Sequence, residues 1–286
     1  MRRLFFGPSG LRPGWGLLVF VVLVFSLTGF ANLAIRRLAP AAGRDVQFLV
    51  REVEDFLIFL LASWIMGRIE HRTIADYGLP WRRTFGFRFW QGVLIGFASI
   101  TGLLLVMRVA GLVHFKGLAL AGADIAKWAV TYALVFLLVA LREEFRARGY
   151  AVFTLSRGIG FWPAALLSSA YFGYSHIGNA GENWIGLINA ALFGLLLCFL
   201  LRRSGNLWLP IGFHLAFDWG ETYFYGVPDS GQLAPGHLLN TGFSGPSWLS
   251  GGSVGPEGSI LCTLMILALW LISGAWLREN KYHPGS

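Results

Sequence analysis

Charge is scarce in this chain. Only 13% of its 286 residues are Asp, Glu, Lys or Arg, against about a quarter in ordinary soluble domains. With 55% hydrophobic residues, that shortage excludes a soluble globular class. Cysteine is nearly missing as well: Cys198 and Cys262 are the only two, each inside an apolar run. They read as small packing residues, not as a disulfide framework or a thiolate metal site. No cysteine lies among the last residues, so no prenylation box is expected on the chain itself. Internal repeats are absent, and so is the compact His-Glu-x-x-His spacing of soluble zinc proteases.

What is present are long apolar runs, 37 glycines and 12 tryptophans. Small residues suit helix contacts in lipid, and indoles suit the bilayer interface. The formal net charge of +8 suggests nucleic acid only superficially. The Arg and Lys residues lie between apolar segments and read as orientation signals. The expected partner is the lipid bilayer, and no nucleic-acid partner is expected.

The fold expected is all-α: a polytopic helical membrane protein, one membrane domain over 1–286 with about eight transmembrane helices. The first span runs from Trp15 to Ile35 and reads as uncleaved, being long enough to cross and lacking a clear small-x-small site. The second runs from Val46 to Ile69, with Arg51, Glu52, Glu54 and Asp55 in its first turns. Residues 68–88 read as an interfacial loop around Tyr77-Gly78-Leu79-Pro80. The third span, Phe89 to Ala110, contains Gly92-x-x-x-Gly96, a pattern for close helix packing. The fourth helix extends from an N-capping Asp124 through Ser156. A turn at Arg157 to Pro163 leads to the fifth, Trp162 to His176. The sixth is Trp184 to Leu201, the seventh Pro210 to Tyr225, and the eighth Ile260 to Leu277. Residues 226–258 hold nine glycines and four prolines without Lys or Arg, and read as a flexible non-cytoplasmic loop. Sixteen basic residues fall on one side of eight alternating spans and seven on the other. This orientation puts both termini in the cytoplasm, with Arg36, Arg37 and Arg44 as the exceptions. Short loops and the lack of an Asn-x-Ser/Thr sequon point to a bacterial inner membrane.

One stretch stands out: Leu141-Arg142-Glu143-Glu144-Phe145-Arg146-Ala147-Arg148-Gly149-Tyr150. A charge at the centre of a membrane helix costs roughly 2.5–3.5 kcal/mol on insertion scales. Glu144 and Arg148 are four apart and share a helix face, so they can pair. Glu143 points about 100° away and is expected to stay available. Counted from the turn between Ile159 and Gly160, Glu143 and His176 are equally far along their two helices, about 25 Å at the helical rise. They therefore lie level across an antiparallel pair. Phe172 and His176 share a face, as do His214 and Asp218, where the carboxylate can hold the imidazole in one tautomer. An extended Asn206 to Leu209 would carry His214 to the same level. Buried ionisable groups in membrane helices default to function. His71, His114, His237 and His283 fall in loops or the tail and are set aside.

Together, Glu143-Glu144-x-x-x-Arg148-Gly149, Phe172-x-x-x-His176 and His214-x-x-x-Asp218 resemble the CAAX protease and bacteriocin-processing (CPBP, or ABI) family of intramembrane proteases, which includes the type II CAAX prenyl endopeptidases. Gly205 to Pro210 is similar to the family too, and Asp76-Tyr77-Gly78-Leu79 more weakly. The catalytic core would be about 125–225. The resemblance implies that Glu143 and His176 activate a water, that Glu144 with Arg148 organises the site, and that His214 and residue 218 bind the oxyanion or a metal. Many relatives have Asn where this chain has Asp218. An ionised Asp cannot donate to an oxyanion, but it can orient His214 or favour a cation. Glu143, His176, His214 and Asp218 offer the N and O ligands that zinc or a similar divalent ion accepts. The expected substrate is a peptide or a membrane-anchored protein. The competing class is a proton-coupled transporter or a non-catalytic membrane scaffold, which could use the same buried groups.

Overall fold

A computed structural model of the chain describes residues 5–7, 10–38, 44–278 and 281–282, without the side chains of residues 34–38 and 44–45. Arg2, Arg3, Arg36, Arg37 and Arg44 of the orientation count, and His283, therefore lie outside the described side chains. The architecture is all-α. The helices are α1 (Pro13–Leu38), α2 (Arg44–Glu70), α3 (Phe87–Val109), α4 (Ala123–Arg148), α5 (Tyr150–Ile159), α6 (Phe161–Ser175), α7 (Trp184–Ser204), α8 (Trp208–Trp219), α9 (Ser247–Ser250) and α10 (Ile260–Trp276). Two small antiparallel ribbons accompany them: β1 (Phe6–Gly7) with β2 (Gly10–Leu11), and β3 (Val113–Leu118) with β4 (Leu239–Phe243). In the second ribbon Val113 pairs with Phe243 and His114 with Gly242.

Among the described residues, four stretches are long and apolar enough to cross a membrane: Pro13–Leu33, Phe87–Val109, Ala123–Ile159 and Trp184–Ser204. Their outward faces carry large apolar side chains, among them Phe25, Leu94, Val109 and Leu134. Bare apolar surface on satisfied helical backbone is what a hydrocarbon solvent requires. The remaining expected spans differ for local reasons. The acids and arginine in its first turns lower the hydropathy of α2. Helix α10 has 17 residues, and α8 has 12.

Helix α8 sits inside the bundle rather than at its edge. Its sequence is apolar apart from His214 and Asp218 on one face, and Trp208 to His214 are all buried, as expected of a helix surrounded by protein. The Gly92-x-x-x-Gly96 pattern explains how it gets there. A Cβ on Gly92 would lie 2.1 Å from the Leu209 carbonyl oxygen, and one on Gly96 2.1 Å from that of Phe213. Gly212 of α8 returns the contact, its missing Cβ facing the Phe89 carbonyl at 2.1 Å. The two backbones touch because three side chains are absent. The start of α8 is held by the 74–80 segment. Gly78, at φ 94°, offers its carbonyl to Leu207 N at 2.8 Å, and Trp208 Nε1 donates to Pro80 O at 3.1 Å. Tyr77 is buried there, while Trp81, Phe85 and Phe87 of the same stretch stay exposed.

Three expectations about local structure are corrected. The fourth helix is two helices: Gly149, at φ −72° and ψ −124°, separates α4 from α5. Asp124 is not the N-cap; α4 begins at Ala123, and Asp124 faces Lys127 at 3.9 Å from its first turn. Leu207 is helical in conformation and Trp208 already belongs to α8, so Asn206 to Leu209 is not extended. The 226–258 stretch carries structure of its own. It contributes β4, α9 and a 3-10 turn at Pro256–Gly258. Asn189, buried on α7, donates to the carbonyls of Glu257 at 2.7 Å and Ser259 at 2.8 Å, which pins its end to the bundle. Cys198 and Cys262 are free and buried, as packing residues.

Candidate active site

The charged end of α4 faces α8, and His214 is the point where their polar groups meet. Its Nδ1 lies 2.9 Å from Glu144 Oε1. Its Nε2 lies 3.3 Å from Asp218 Oδ2 and 3.8 Å from Glu143 Oε2. One imidazole therefore collects three carboxylates from two helices. His214, Asp218 and Glu144 are buried, and the Glu143 side chain keeps 20% of its exposure.

Glu144 and Arg148 form the expected pair, with Arg148 Nη1 donating to Glu144 Oε1 at 2.7 Å and both side chains at 0% exposure. The guanidinium is satisfied further: Nε and Nη2 donate to the Gly194 carbonyl at 3.2 and 3.1 Å. It also lies 4.7 Å from the centroid of Phe172, a cation–π distance. Glycine at 194 makes this possible, since a Cβ there would sit 3.2 Å from Arg148 Nη2. Arg148 thus locks Glu144, and Glu144 presents the same oxygen to His214.

Glu143 is not left unengaged, as helical spacing alone suggests. Arg142 Nη2 donates to its Oε1 at 2.5 Å. Arg142 is itself shared, with Nε 2.5 Å from Glu52 and Nη1 3.6 Å from Asp55. The acids in the first turns of α2 hold the arginine that clamps one oxygen of Glu143, and the other oxygen faces His214. Asp55 also takes Arg146 at 3.2 Å, and Arg146 reaches Tyr171 of α6. Adjacent residues on a helix point to different faces, so only packing of α2 against α4 could reveal this network.

His176 ends α6 as its C-cap. Its Nδ1 is 2.7 Å from the Phe172 carbonyl. A carbonyl only accepts, so Nδ1 carries the proton and the neutral ring keeps a lone pair on Nε2. The Phe172 ring stands beside both imidazoles, its centroid 4.8 Å from His176 and 6.2 Å from His214. Glu143, Glu144, Arg148, His214 and Asp218 thus meet directly, and His176 stands beside the Phe172 ring that also flanks His214.

Beyond Asp218 the site continues into residues that sequence reasoning passed over. After α8 the chain makes a π-helical stretch, Gly220–Tyr225, a wide geometry often found at functional sites. One ligand atom from each of Asp218, Glu221 and Asp229 lies within 4.8 Å of the others. Asp229 accepts from Thr222 Oγ1 at 3.2 Å, and Glu257 accepts from Ser230 N at 2.9 Å. Burial and the charges of Asp218 and Glu257 push the Asp229 carboxyl well above the usual carboxylate range. A signal did exist: from residue 204 to residue 277 the charged residues are Asp218, Glu221, Asp229 and Glu257, all acidic.

The expected metal set does not gather as one coordination group. Among the described residues, the group whose ligand atoms come within 4.8 Å is Asp218, Glu221 and Asp229, without Glu143, His176 or His214. Both ring nitrogens of His214 already face carboxylates, and Nδ1 of His176 faces a carbonyl.

Residues 124–220 match the family model described as Rce1-like, "Type II CAAX prenyl endopeptidase Rce1-like". The matched segment contains Glu143, Glu144, Arg148, His176, His214 and Asp218, and it bears out the resemblance read from their motifs. At the level of the family it supports a CAAX-protease type of membrane peptidase. No curated protein and no solved structure matches the chain.

Proposed function

We propose that the chain is an intramembrane endopeptidase that hydrolyses a peptide bond of a membrane-anchored substrate with water. The observation that carries this reading is the meeting of Glu143, Glu144 and Asp218 on the single imidazole of His214, inside the segment that matches an endopeptidase family. Hydrolysis needs a base for water and a donor for the negative charge that develops on the carbonyl oxygen.

Glu143 is the base. One of its oxygens is held by Arg142 and the other points into the site. A water between that oxygen and Nε2 of His176 loses its proton to Glu143 as its oxygen attacks the carbonyl carbon. His214, as the imidazolium, donates from Nδ1 to Glu144 and from Nε2 to Asp218, and the Nε2 proton turns from Asp218 to the oxyanion as its charge develops. Asp218, ionised, serves as the acceptor that aligns His214 and is no oxyanion donor itself. Collapse of the tetrahedral intermediate breaks the C–N bond, and Glu143 returns the proton to the leaving amine. Glu144 and Arg148 touch no substrate in this scheme; they keep His214 in register.

The test is cleavage of a quenched-fluorescent, membrane-tethered peptide by protein in liposomes. Glu143→Ala and His176→Ala should each abolish turnover while the protein still inserts and melts cooperatively. Normal turnover by the Glu143→Ala protein would defeat the peptidase reading and favour a carrier or scaffold. Prenylated and unprenylated versions of the same peptide, compared by kcat/KM, decide whether the lipid group of CAAX substrates is recognised here.

A further inference from the structure

Glu221 is completely buried, at 0% exposure, and among the described residues neither of its carboxylate oxygens has a hydrogen-bond partner. The charges that act on it are all carboxylates: Glu257, Asp229 and Asp218. An unpaired charge with no hydrogen bonds is among the costliest things to bury. Glu221 nevertheless points where Asp218 and Asp229 each bring a ligand atom within 4.8 Å. The surroundings hold these groups in place. Asp218 ends the buried α8, and Gly220 allows the close approach of α3, since a Cβ on it would lie 2.6 Å from Ile100 Cγ2. Asp229 is fixed by a reciprocal backbone pair with Gln232, at 3.0 and 2.8 Å, and by Thr222. Ser230, next in the chain, is tied to Glu257, and Gly231 N donates to Val254 O at 2.9 Å.

We propose that Asp218, Glu221 and Asp229 form a binding site for a hard divalent cation, with Ca2+ the best fit. The three ligands are all carboxylate oxygens, the donor class of Ca2+, Mg2+ and Mn2+ and not of ions that seek nitrogen or sulfur. Donors within 4.8 Å of one another can share one ion, and three buried protein carboxylates suit Ca2+ better than Mg2+, which dehydrates reluctantly and keeps several waters. Glu221 and Asp229 lie past the end of the family match at residue 220. It ties the 226–258 segment to α8 through Asp218, the same residue that faces His214. The cation site stands independently of the peptidase reading, although the two share that carboxylate.

The experiment uses the full-length protein in detergent, stripped with EDTA and dialysed. Isothermal titration with CaCl2, with MgCl2 as a parallel arm, should give one Ca2+ per chain and weaker Mg2+. Glu221→Gln and Asp229→Asn should each weaken Ca2+ binding on the order of tenfold or more, and should lose the rise in Tm that Ca2+ gives the unaltered protein. Glu143→Gln should bind Ca2+ like the unaltered protein while losing hydrolysis, so the two readings fail separately. Absence of stoichiometric Ca2+ binding, or binding that both variants retain, overturns the proposal. So does equal stabilisation of the protein by Glu221→Gln with and without Ca2+, which would mean that the carboxylates share protons instead.

Discussion

Replacing Arg148 with methionine keeps an unbranched apolar stem and removes everything the guanidinium does. Glu144 would lose its 2.7 Å partner, and the Gly194 carbonyl would lose donors at 3.1 and 3.2 Å. Both members of the ion pair are at 0% exposure, so water cannot take over. Breaking a buried pair from one side costs about 3–5 kcal/mol, because a charge is left behind. The orphaned carbonyl adds about 1–3 kcal/mol. Removing the charge on both sides, with Arg148→Met and Glu144→Gln together, should recover a large part of that loss, since well-packed neutral replacements of buried pairs are often tolerated. The double-mutant cycle therefore carries a coupling energy on the order of 2 kcal/mol. Reversible unfolding of the purified protein, followed by circular dichroism in mixed micelles, gives all four corners. Hydrolysis gives a second readout: Glu144 presents to His214 the oxygen that Arg148 holds, so Arg148→Met should lower kcat more than it changes KM. An Arg148→Met protein within about 0.5 kcal/mol of the parent, or a cycle with no coupling, would refute the idea that this pair is the brace of the site.

Gly96→Ala puts a methyl group where the Phe213 carbonyl now lies at 2.1 Å; α3 and α8 must part, costing about 1–3 kcal/mol or more, and kcat should fall with His214 displaced. Glu52→Gln takes an anion from Arg142, which should then hold Glu143 more tightly and weaken it as a base. The expected result is a drop in kcat of up to about tenfold with KM unchanged, read in the peptide assay. Asn189→Ala leaves the carbonyls of Glu257 and Ser259 without their donor; a loss of about 1–3 kcal/mol should appear as faster proteolytic nicking within residues 226–258.

Which features could be read in advance follows from distance along the chain. Helices α1, α3 and α7 fall close to their expected limits because an apolar run of sufficient length announces itself residue by residue. Pairs at helical spacing were equally legible: Glu144 with Arg148, His214 with Asp218, and the Phe172 face that carries His176. Gly92 and Gly96 marked a close contact without naming its partner. The break at Gly149 was not foreseen, because glycine permits a kink without requiring one.

The sequence by itself determined the solvent this protein lives in, most of its helices, and the local pairs on their faces, since each depends on composition or on a period of 3.6 residues. Only the tertiary structure decided which faces meet. It set Glu144 on His214 across 70 positions, gave Glu143 to Arg142 and Arg142 to Glu52, and gathered the four acids between residues 204 and 277. The physical reason is that a helix specifies the direction of its side chains relative to its own axis alone. What those side chains face is settled by how bundled helices slide, turn and approach, and here three missing side chains at Gly92, Gly96 and Gly212 set that approach.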